Sequence, residues 1–268
     1  MIPPHRAIYD AAHLYELAFD FRDFAAEVRF LEDAFVSRRG RPLRSFLELA
    51  AGPARHAIEL GARGIDVAAL DLSPSMRNLA LLRAAERGVS LDYTLGDMVA
   101  FARTPRVDLA ANMLSSATYI LSDERFVAHL RAVGAALVAD GMYVIELPHP
   151  SGLEGRSTVQ ESWTVSRPAG VIDVSWSTGS TRGSISTCVA RMNFRSPTGA
   201  VLEIEDEADE RIFRVEEIER FAAASGCFTV EAVRGALRED TALDEPAAWR
   251  LVVILKKTAP VAARSTLE

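Results

Sequence analysis

The 268-residue chain has little cysteine and no long apolar run. Its two cysteines, Cys188 and Cys227, lack the spacing of a metal-binding pair and need not form a disulfide in a reducing compartment. A membrane-spanning helix needs about 18 consecutive apolar residues, which the sequence does not contain. The N-terminus also lacks a signal-peptide pattern. We therefore expect no metal, no membrane partner and a cytoplasmic location.

The chain also lacks an excess of positive charge. Its net charge is −7, its pI is near 5.4, and no lysine- or arginine-rich stripe occurs. Proteins that bind nucleic acid neutralise phosphates with such stripes, so we expect no nucleic-acid substrate. The last residues, 258–268, are alanine-rich and without periodicity, and we expect a disordered tail there.

The most informative segment of the chain is 46–56, which predicts a buried strand, a turn of small residues and the start of a helix. The small side chains at 50–54 would let the backbone approach a ligand closely and offer it N–H groups. Because alanine disfavours positive φ, we expect this turn to use ordinary backbone conformations, stiffened by Pro53. A second apolar run at 65–70 predicts another strand, which ends at Asp71.

Asp71 follows the small-residue turn by about twenty residues, the spacing at which a carboxylate can bind the hydroxyl groups of a ribose. A dinucleotide site would have glycine at all three of the positions that Ala50, Gly52 and His56 occupy here. Only Gly52 meets this requirement, so a dehydrogenase is disfavoured. The segment instead resembles the first motif of class I S-adenosylmethionine-dependent methyltransferases, an acidic residue, an apolar residue and Gly-x-Gly-x-Gly. Here that motif starts at Glu48, and alanine replaces its first and third glycines.

The resemblance continues over residues 44 to 148. The second strand is followed by Asp-Leu-Ser-Pro-Ser-Met at 71–76, where Ser73 can cap a helix that begins at Pro74. A Gly-Asp pair then follows a third strand, and by resemblance Asp97 and Met98 would hold the adenine. Residues 115–119, after a fourth strand at 107–114, would lie between cofactor and substrate.

The resemblance implies an α/β fold with a Rossmann-like seven-stranded sheet, helices on both faces, an N-terminal helical lid and an inserted antiparallel β-sheet after strand 5. Such an insertion is similar to that of sugar N-methyltransferases and glycine N-methyltransferase-like enzymes. We expect the cofactor-binding core at 1–148 and 210–257, with lid helices in 1–40. The inserted sheet is expected at 149–209 and the disordered tail at 258–268.

Periodicity and turn residues predict several element boundaries. A helix is expected from Ser122 to about Ala139, with Gly141 starting the fifth strand, and an N-terminal helix is expected over 21–35. A further helix over 215–225 should stop at Gly226. In the inserted sheet we expect Trp163, Trp176, Met192 and Phe194 to be split between its two faces.

The predicted site residues fall into three groups. The cofactor group consists of Glu48, Ala50, Ala51, Gly52, Asp71, Leu72, Met76, Asp97, Met98, Asn112, Met113 and Leu114. The substrate group consists of Tyr15, Ser115, Tyr119, Trp163, Arg191 and Asn193. The catalytic group consists of His149, Tyr15 and His13. If the strand face that carries Arg191 and Asn193 lines the pocket, an anionic acceptor is favoured. Arg55 should face solvent and His56 should pack or cap, so neither receives a catalytic role.

The sequence thus predicts methyl transfer from S-adenosylmethionine to nitrogen or oxygen of a small-molecule metabolite of secondary metabolism, with S-adenosylhomocysteine as the second product. Two alternatives stay open: methylation at carbon of a small acid or enolisable metabolite, and a catalytically silent S-adenosylmethionine-binding sensor or partner subunit. Association into a homodimer or larger homo-oligomer through the inserted sheet is also expected.

Overall fold

The computed structural model of the protein describes residues 7–150 and 159–258. The strands in these ranges are β1 Ser45–Leu49, β2 Asp66–Asp71, β3 Leu91–Leu95, β4 Val107–Asn112, β5 Leu137–Pro148, β6 Val159–Arg167, β7 Gly170–Arg182, β8 Ile185–Arg195, β9 Val201–Arg211, β10 Phe228–Arg234 and β11 Arg250–Lys257. The helices are α1 Ala7–Asp10, α2 Ala12–Ala18, α3 Phe24–Arg39, α4 Arg55–Gly61, α5 Pro74–Glu86, α6 Asp123–Ala136 and α7 Val215–Ser225, and a 3-10 helix spans Ser116–Tyr119.

Seven strands form the central sheet, in the order β10-β11-β5-β4-β1-β2-β3. Strands β1 to β5 run parallel, while β11 lies antiparallel to β5 and β10 lies antiparallel to β11. The order of strands reverses between β1 and β4. In open α/β sheets, ligands bind at the carboxyl ends of the strands beside such a reversal.

Helices cover both faces of this sheet because its strands carry apolar side chains on both sides. On one face, Phe46 and Leu109 pack with residues of α3 and α4. On the other face, Leu47 and Ala110 pack with residues of α6 and α7. The Rossmann-like seven-stranded sheet with helices on both faces is therefore confirmed.

Several helix ends follow the sequence signals. The Ser73 hydroxyl accepts a hydrogen bond from the Met76 N–H at 3.2 Å, and α5 begins at Pro74, as predicted. Helix α7 ends before Gly226, whose φ of 69° is left-handed. Among the helices of the described ranges, none is long and apolar enough to cross a membrane.

Two predicted boundaries are wrong. Helix α6 ends at Ala136, and β5 begins at once with Leu137, which pairs with Val107 and is fully buried. Gly141 lies within the strand, where a Cβ would come within 2.8 Å of the Leu137 Cβ. The predicted N-terminal helix over 21–35 starts instead at Phe24, because the Asp23 carboxylate caps it by accepting the Ala26 N–H.

The inserted strands form a separate antiparallel sheet in the order β6-β7-β8-β9. One face, here called the inner face, packs on α1 and α2 around buried Met192 and Ala190. The large inner-face side chains are Trp163, Trp176, Met192 and Phe194. The expected split of these four residues between faces is therefore wrong. Pairing places them in alternation with the polar residues of the outer face.

Candidate active site

The turn between β1 and α4 adopts a left-handed backbone at three positions. Ala50, Gly52 and Ala54 have φ values of 49°, 51° and 53°. The expectation of ordinary backbone conformations is therefore wrong: the turn has the geometry that glycine would adopt more easily, although two of these residues are alanine. Strained backbone of this kind persists only where surrounding contacts hold it.

Contacts from β2 and β3 hold the centre of this turn. The Gly52 N–H donates to Asp71 Oδ2 at 2.8 Å, and the Gly52 carbonyl accepts from the Tyr93 hydroxyl at 2.7 Å. A Cβ added to Gly52 would lie 3.8 Å from Met76 Sδ and 4.0 Å from the Tyr15 ring. The turn therefore lies directly beneath the tyrosine of α2.

Asp71 ends β2 and faces the turn. Its second oxygen, Oδ1, accepts the Ser73 N–H at 2.8 Å. Burial raises the pKa of this carboxyl, and the hydrogen bonds from the Ser73 and Gly52 N–H groups offset part of that effect. Next to it, Leu72 and Leu95 are 41% and 45% exposed. Apolar side chains left open beside a half-buried carboxylate suit a flat ligand with a polar edge.

The chain after β3 places Asp97 and Met98 at the same edge of the sheet. The Asp97 carboxylate accepts the Val99 N–H at 2.9 Å and a hydrogen bond from the Arg125 guanidinium at 3.0 Å. Met98 Sδ lies 3.5 Å from the side-chain nitrogen of Asn112, at the end of β4.

Asn112 is fully buried and serves the polypeptide. Its side-chain N–H₂ donates to the Leu49 carbonyl at 3.1 Å, and its oxygen accepts the Ala117 N–H at 2.8 Å. It thereby joins the end of β1 to the segment after β4. In that segment Leu114 and Ser115 are again left-handed, with φ of 52° and 63°.

A cleft of about 450 Å³, partly open to solvent, lies between these two strained segments. Its walls come from the turn after β1, the segment after β4, and the N-terminal segment. The residues that line it are Tyr15, Glu16, Phe19, Phe24, Glu48, Ala50, Ala51, Gly52, Pro53, Arg55, His56, Met113, Leu114 and Ser116.

The N-terminal segment is tied down on several sides. The Tyr9 and Tyr119 hydroxyls are 3.1 Å apart, and the Ile8 N–H donates to Asp206 of the inserted sheet at 2.8 Å. The Trp163 indole donates to the Ala18 carbonyl at 2.7 Å. Segment 7–23 thus bridges the core and the inserted sheet above the cleft, which is the arrangement expected of the lid.

Arg55 does not point into solvent, so that expectation is wrong. Its guanidinium lies 4.5 Å from the centre of the Phe24 ring. It also lies 3.8 Å from Glu16 and 3.6 Å from Asp20, both in the N-terminal segment. The residue lines the cleft and helps to attach the lid.

A buried chain of charged groups, which the sequence did not predict, runs beneath the cleft. His56 is fully buried, as expected of a packed residue, but its ring joins two carboxylates: Nδ1 lies 2.7 Å from Glu48 and Nε2 lies 2.7 Å from Glu27. Glu27 accepts a hydrogen bond from Arg22 at 2.8 Å, and Arg22 binds both oxygens of Glu146.

Glu146 completes this chain at the segment after β4. Its Oε2 accepts the Leu114 N–H at 2.9 Å, and its Oε1 lies 3.3 Å from the Arg250 guanidinium. Burial raises the pKa of Glu146, but the charges of Arg22 and Arg250 outweigh burial, and its pKa is lowered. The carboxylate therefore stays ionised and fixes the left-handed Leu114.

Other predicted site residues lie farther from the cleft lining. His149 directs Nε2 to the Leu243 carbonyl at 2.9 Å, and His13 is on the exposed side of α2. Arg191 pairs with Glu205 at 2.6 Å on the outer face of the inserted sheet, the face that also carries Asn193. The condition set for an anionic acceptor, that this face lines the pocket, is thus not met.

Comparison with known proteins agrees with this geometry. Residues 46–141 match the family described as a methyltransferase domain. A search of curated protein sequences gives no match. Among solved structures, an S-adenosylmethionine-dependent methyltransferase from Clostridium acetobutylicum has a TM-score of 0.78 at 17% identity, over 93% of this chain and 98% of that one.

Two further structures share the fold. An S-adenosylmethionine-bound amino pentose methyltransferase from Micromonospora echinaspora has a TM-score of 0.71 at 19% identity, over 95% of this chain and 98% of that one. A sugar N-methyltransferase from Streptoalloteichus has a TM-score of 0.70 at 24% identity, over 90% of this chain and 92% of that one. Residues 46–141 thus match a methyltransferase domain, and the chain as a whole shares the fold of S-adenosylmethionine-dependent methyltransferases.

Proposed function

We propose that the protein transfers a methyl group to a nitrogen or oxygen atom of a small-molecule metabolite, and that the cleft beneath the N-terminal segment is where transfer occurs. The observation that supports this proposal is the meeting of three elements at one place. The turn after β1 and the segment after β4 line the cleft, and Tyr15 and Phe19 of the N-terminal segment cover it. Transfer needs such an enclosure, because water must be kept from the reacting atoms.

In this proposal Asp71 holds the ribose of the cofactor. Its oxygens accept the Gly52 and Ser73 N–H groups, which leaves each oxygen a further lone pair for a ribose hydroxyl. Leu72 and Met98 would contact the adenine faces, and Asp97 would accept from its amino group. Gly52 supports this assignment because its missing side chain leaves backbone open beneath Tyr15.

When bound, S-adenosylmethionine supplies an electrophilic methyl group, so the protein has mainly to align the acceptor with the bond that breaks. Tyr15 would present its ring and hydroxyl to the reaction zone, and Ser115 and Tyr119 would contact the acceptor from the segment after β4. A protonated acceptor must lose its proton before it can attack. We retain His149 and His13 as candidate bases, although neither lines the cleft in this structure.

Nitrogen is the favoured atom. The similar structures include proteins described as an amino pentose methyltransferase and a sugar N-methyltransferase, and both share the fold of this chain over most of their length. The aromatic surface beside the cleft, formed by Tyr15, Phe19 and Trp163, suits an amine, whose cationic form is attracted to ring faces. An amine on a small polar metabolite is therefore the proposed acceptor.

Calorimetric titration with S-adenosylmethionine and S-adenosylhomocysteine tests the cofactor site, and Asp71→Ala is its decisive variant. We expect the wild-type protein to bind both ligands with micromolar or tighter affinity. The Asp71→Ala substitution should weaken this affinity at least tenfold. Unchanged affinity in Asp71→Ala would contradict the ribose assignment. A screen of amines and alcohols with radiolabelled methyl donor then tests turnover, and binding without any turnover would favour a silent cofactor-binding protein.

A further inference from the structure

The strained turn 50–54 needs support from outside itself, and much of it comes from Glu48. Helix α4 follows Ala54 directly, spans only seven residues and has no side-chain cap. Glu48, at the carboxyl end of β1, reaches over the turn, and its Oε2 accepts the Ala57 N–H at 2.9 Å. This carboxylate therefore caps the N-terminus of α4 in place of a side chain at Ala54, and it connects the two ends of the turn.

His56 in turn fixes Glu48. The 2.7 Å distances from its two ring nitrogens to Glu48 and Glu27 require an N–H on each nitrogen, because neither carboxylate can donate when ionised. Burial lowers the pKa of this imidazole, but the charge of Glu48 and the hydrogen bond to Glu27 outweigh burial and raise it to about 9. Because both ring nitrogens carry a proton and donate a hydrogen bond to a carboxylate, His56 has no free lone pair and cannot act as a base.

The second carboxylate connects the turn with the lid. Glu27 belongs to α3 and also accepts from Arg22, which lies in the connection that follows α2. The edge of the Phe24 ring, with ring centres 5.0 Å apart, closes the remaining side of the imidazole. His56 thus connects Glu48, the carboxylate that supports the turn, with Glu27 and Arg22 beside the N-terminal segment.

We infer that His56 is a positioning residue for the cofactor: its two N–H groups hold Glu48 and Glu27 in place, and thereby keep the turn 50–54 in the left-handed shape that faces the ligand. The inference rests on the cofactor site assigned in the proposed function. Although His56 borders the cleft, its side chain has no exposed surface, so it acts through the turn and not by touching the reacting atoms. Its loss should raise the dissociation constant of the cofactor more than it slows methyl transfer at saturation.

The test is S-adenosylhomocysteine binding by His56→Gln, measured by titration at pH 7.5 and at least 20 °C below the melting temperature of each protein. We expect the dissociation constant to rise at least tenfold. Glu59→Gln is the matched control, because Glu59 lies on the same helix but forms a solvent-exposed pair with Arg87 at 3.0 Å. The dissociation constant of Glu59→Gln should stay within twofold of the wild-type value.

Glu27→Gln separates positioning from folding, since it leaves the bond between His56 and Glu48 in place. It should weaken binding at least threefold, and it replaces His56→Gln if that variant does not fold. If His56 has only a structural role, both substitutions should lower the melting temperature but leave the affinity within twofold of wild type. That result would overturn this inference but not the proposed function. Failure of the wild-type protein to bind S-adenosylhomocysteine would overturn the proposed function and the inference with it.

Discussion

Ala50 holds a left-handed conformation, with φ of 49°, that costs an L-residue about 1–2 kcal/mol relative to its preferred regions. The cost is tolerated because neighbouring strands fix the turn: the Ala51 N–H donates to the Leu70 carbonyl at 3.1 Å, and Gly52 is bound at both its N–H and its carbonyl. The chain thus retains the shape of a glycine turn with fewer glycines.

Ala50→Gly should therefore stabilise the protein. Relief of strain exceeds the extra backbone entropy that glycine loses on folding, so we expect the free energy of unfolding to rise by about 0.5–1 kcal/mol. Ala51→Gly is the control, because Ala51 has no positive φ and its buried methyl would be lost; it should destabilise by about 1 kcal/mol. Guanidinium-induced unfolding measures both. Equal destabilisation by the two substitutions would contradict a left-handed Ala50.

At the scale of elements, two buried histidines lie on helices that cover opposite faces of the sheet. His56, on α4, is held between carboxylates, and its pKa is raised to about 9. His129, on α6, has its pKa lowered by burial to about 4, although it contacts the Met98 carbonyl at 2.8 Å and the Tyr143 hydroxyl at 2.7 Å. One histidine is therefore charged in the folded protein and the other is neutral at pH 7.

These two groups predict a stability maximum near pH 6.5, the ordinary histidine pKa. The contribution of His56 is complete below that pH and is lost as pH rises towards about 9, by up to about 3 kcal/mol. The contribution of His129 is complete above pH 6.5 and is lost as pH falls towards about 4. Free energies of unfolding at pH 5, 6.5 and 9 test this, and His56→Gln should remove most of the decline on the alkaline side. An alkaline decline of wild-type size in His56→Gln would show that another group titrates.

The elements were largely predictable from sequence, whereas the contacts between them were not. Apolar runs and turn residues predicted the strands around Asp71 and the helix that Ser73 caps, because those signals are local. The link from Arg22 through Glu27 and His56 depends on three separate segments that meet only in the fold. No local pattern marks it, and a lone buried histidine in the first turn of a helix was reasonably expected only to pack.

At the scale of the whole molecule, the N-terminal segment contacts both the core and the inserted sheet. Its α1 and α2 contact the inner face of the inserted sheet, while Glu16 binds Arg83 of α5 at 2.7 Å. The outer face of the inserted sheet carries charged pairs such as Arg195 with Asp173. Self-association through this sheet stays a prediction, and any interface on its outer face would be polar.

Because the N-terminal segment contacts both units, ligand binding in the cleft should stabilise them together. S-Adenosylhomocysteine at 100 times its dissociation constant contributes about 2.7 kcal/mol, which corresponds to a rise in melting temperature of about 5–10 °C for a domain of this size. The helical circular dichroism signal reports unfolding of the core, since the described part of the inserted sheet has no helix. Tryptophan fluorescence reports the inserted sheet through Trp163 and Trp176 when exposed Trp249 is replaced by phenylalanine.

We expect both signals to show one transition and to shift by the same amount, because opening the sheet would also release α1 and α2 from the cleft. A nicotinamide dinucleotide is the control ligand and should shift neither signal. If fluorescence keeps its ligand-free midpoint while the helical signal moves, the inserted sheet unfolds on its own. In that case the segment 7–23 would cover the cleft without coupling it to the sheet, and substitutions such as Trp163→Phe would leave cofactor affinity unchanged.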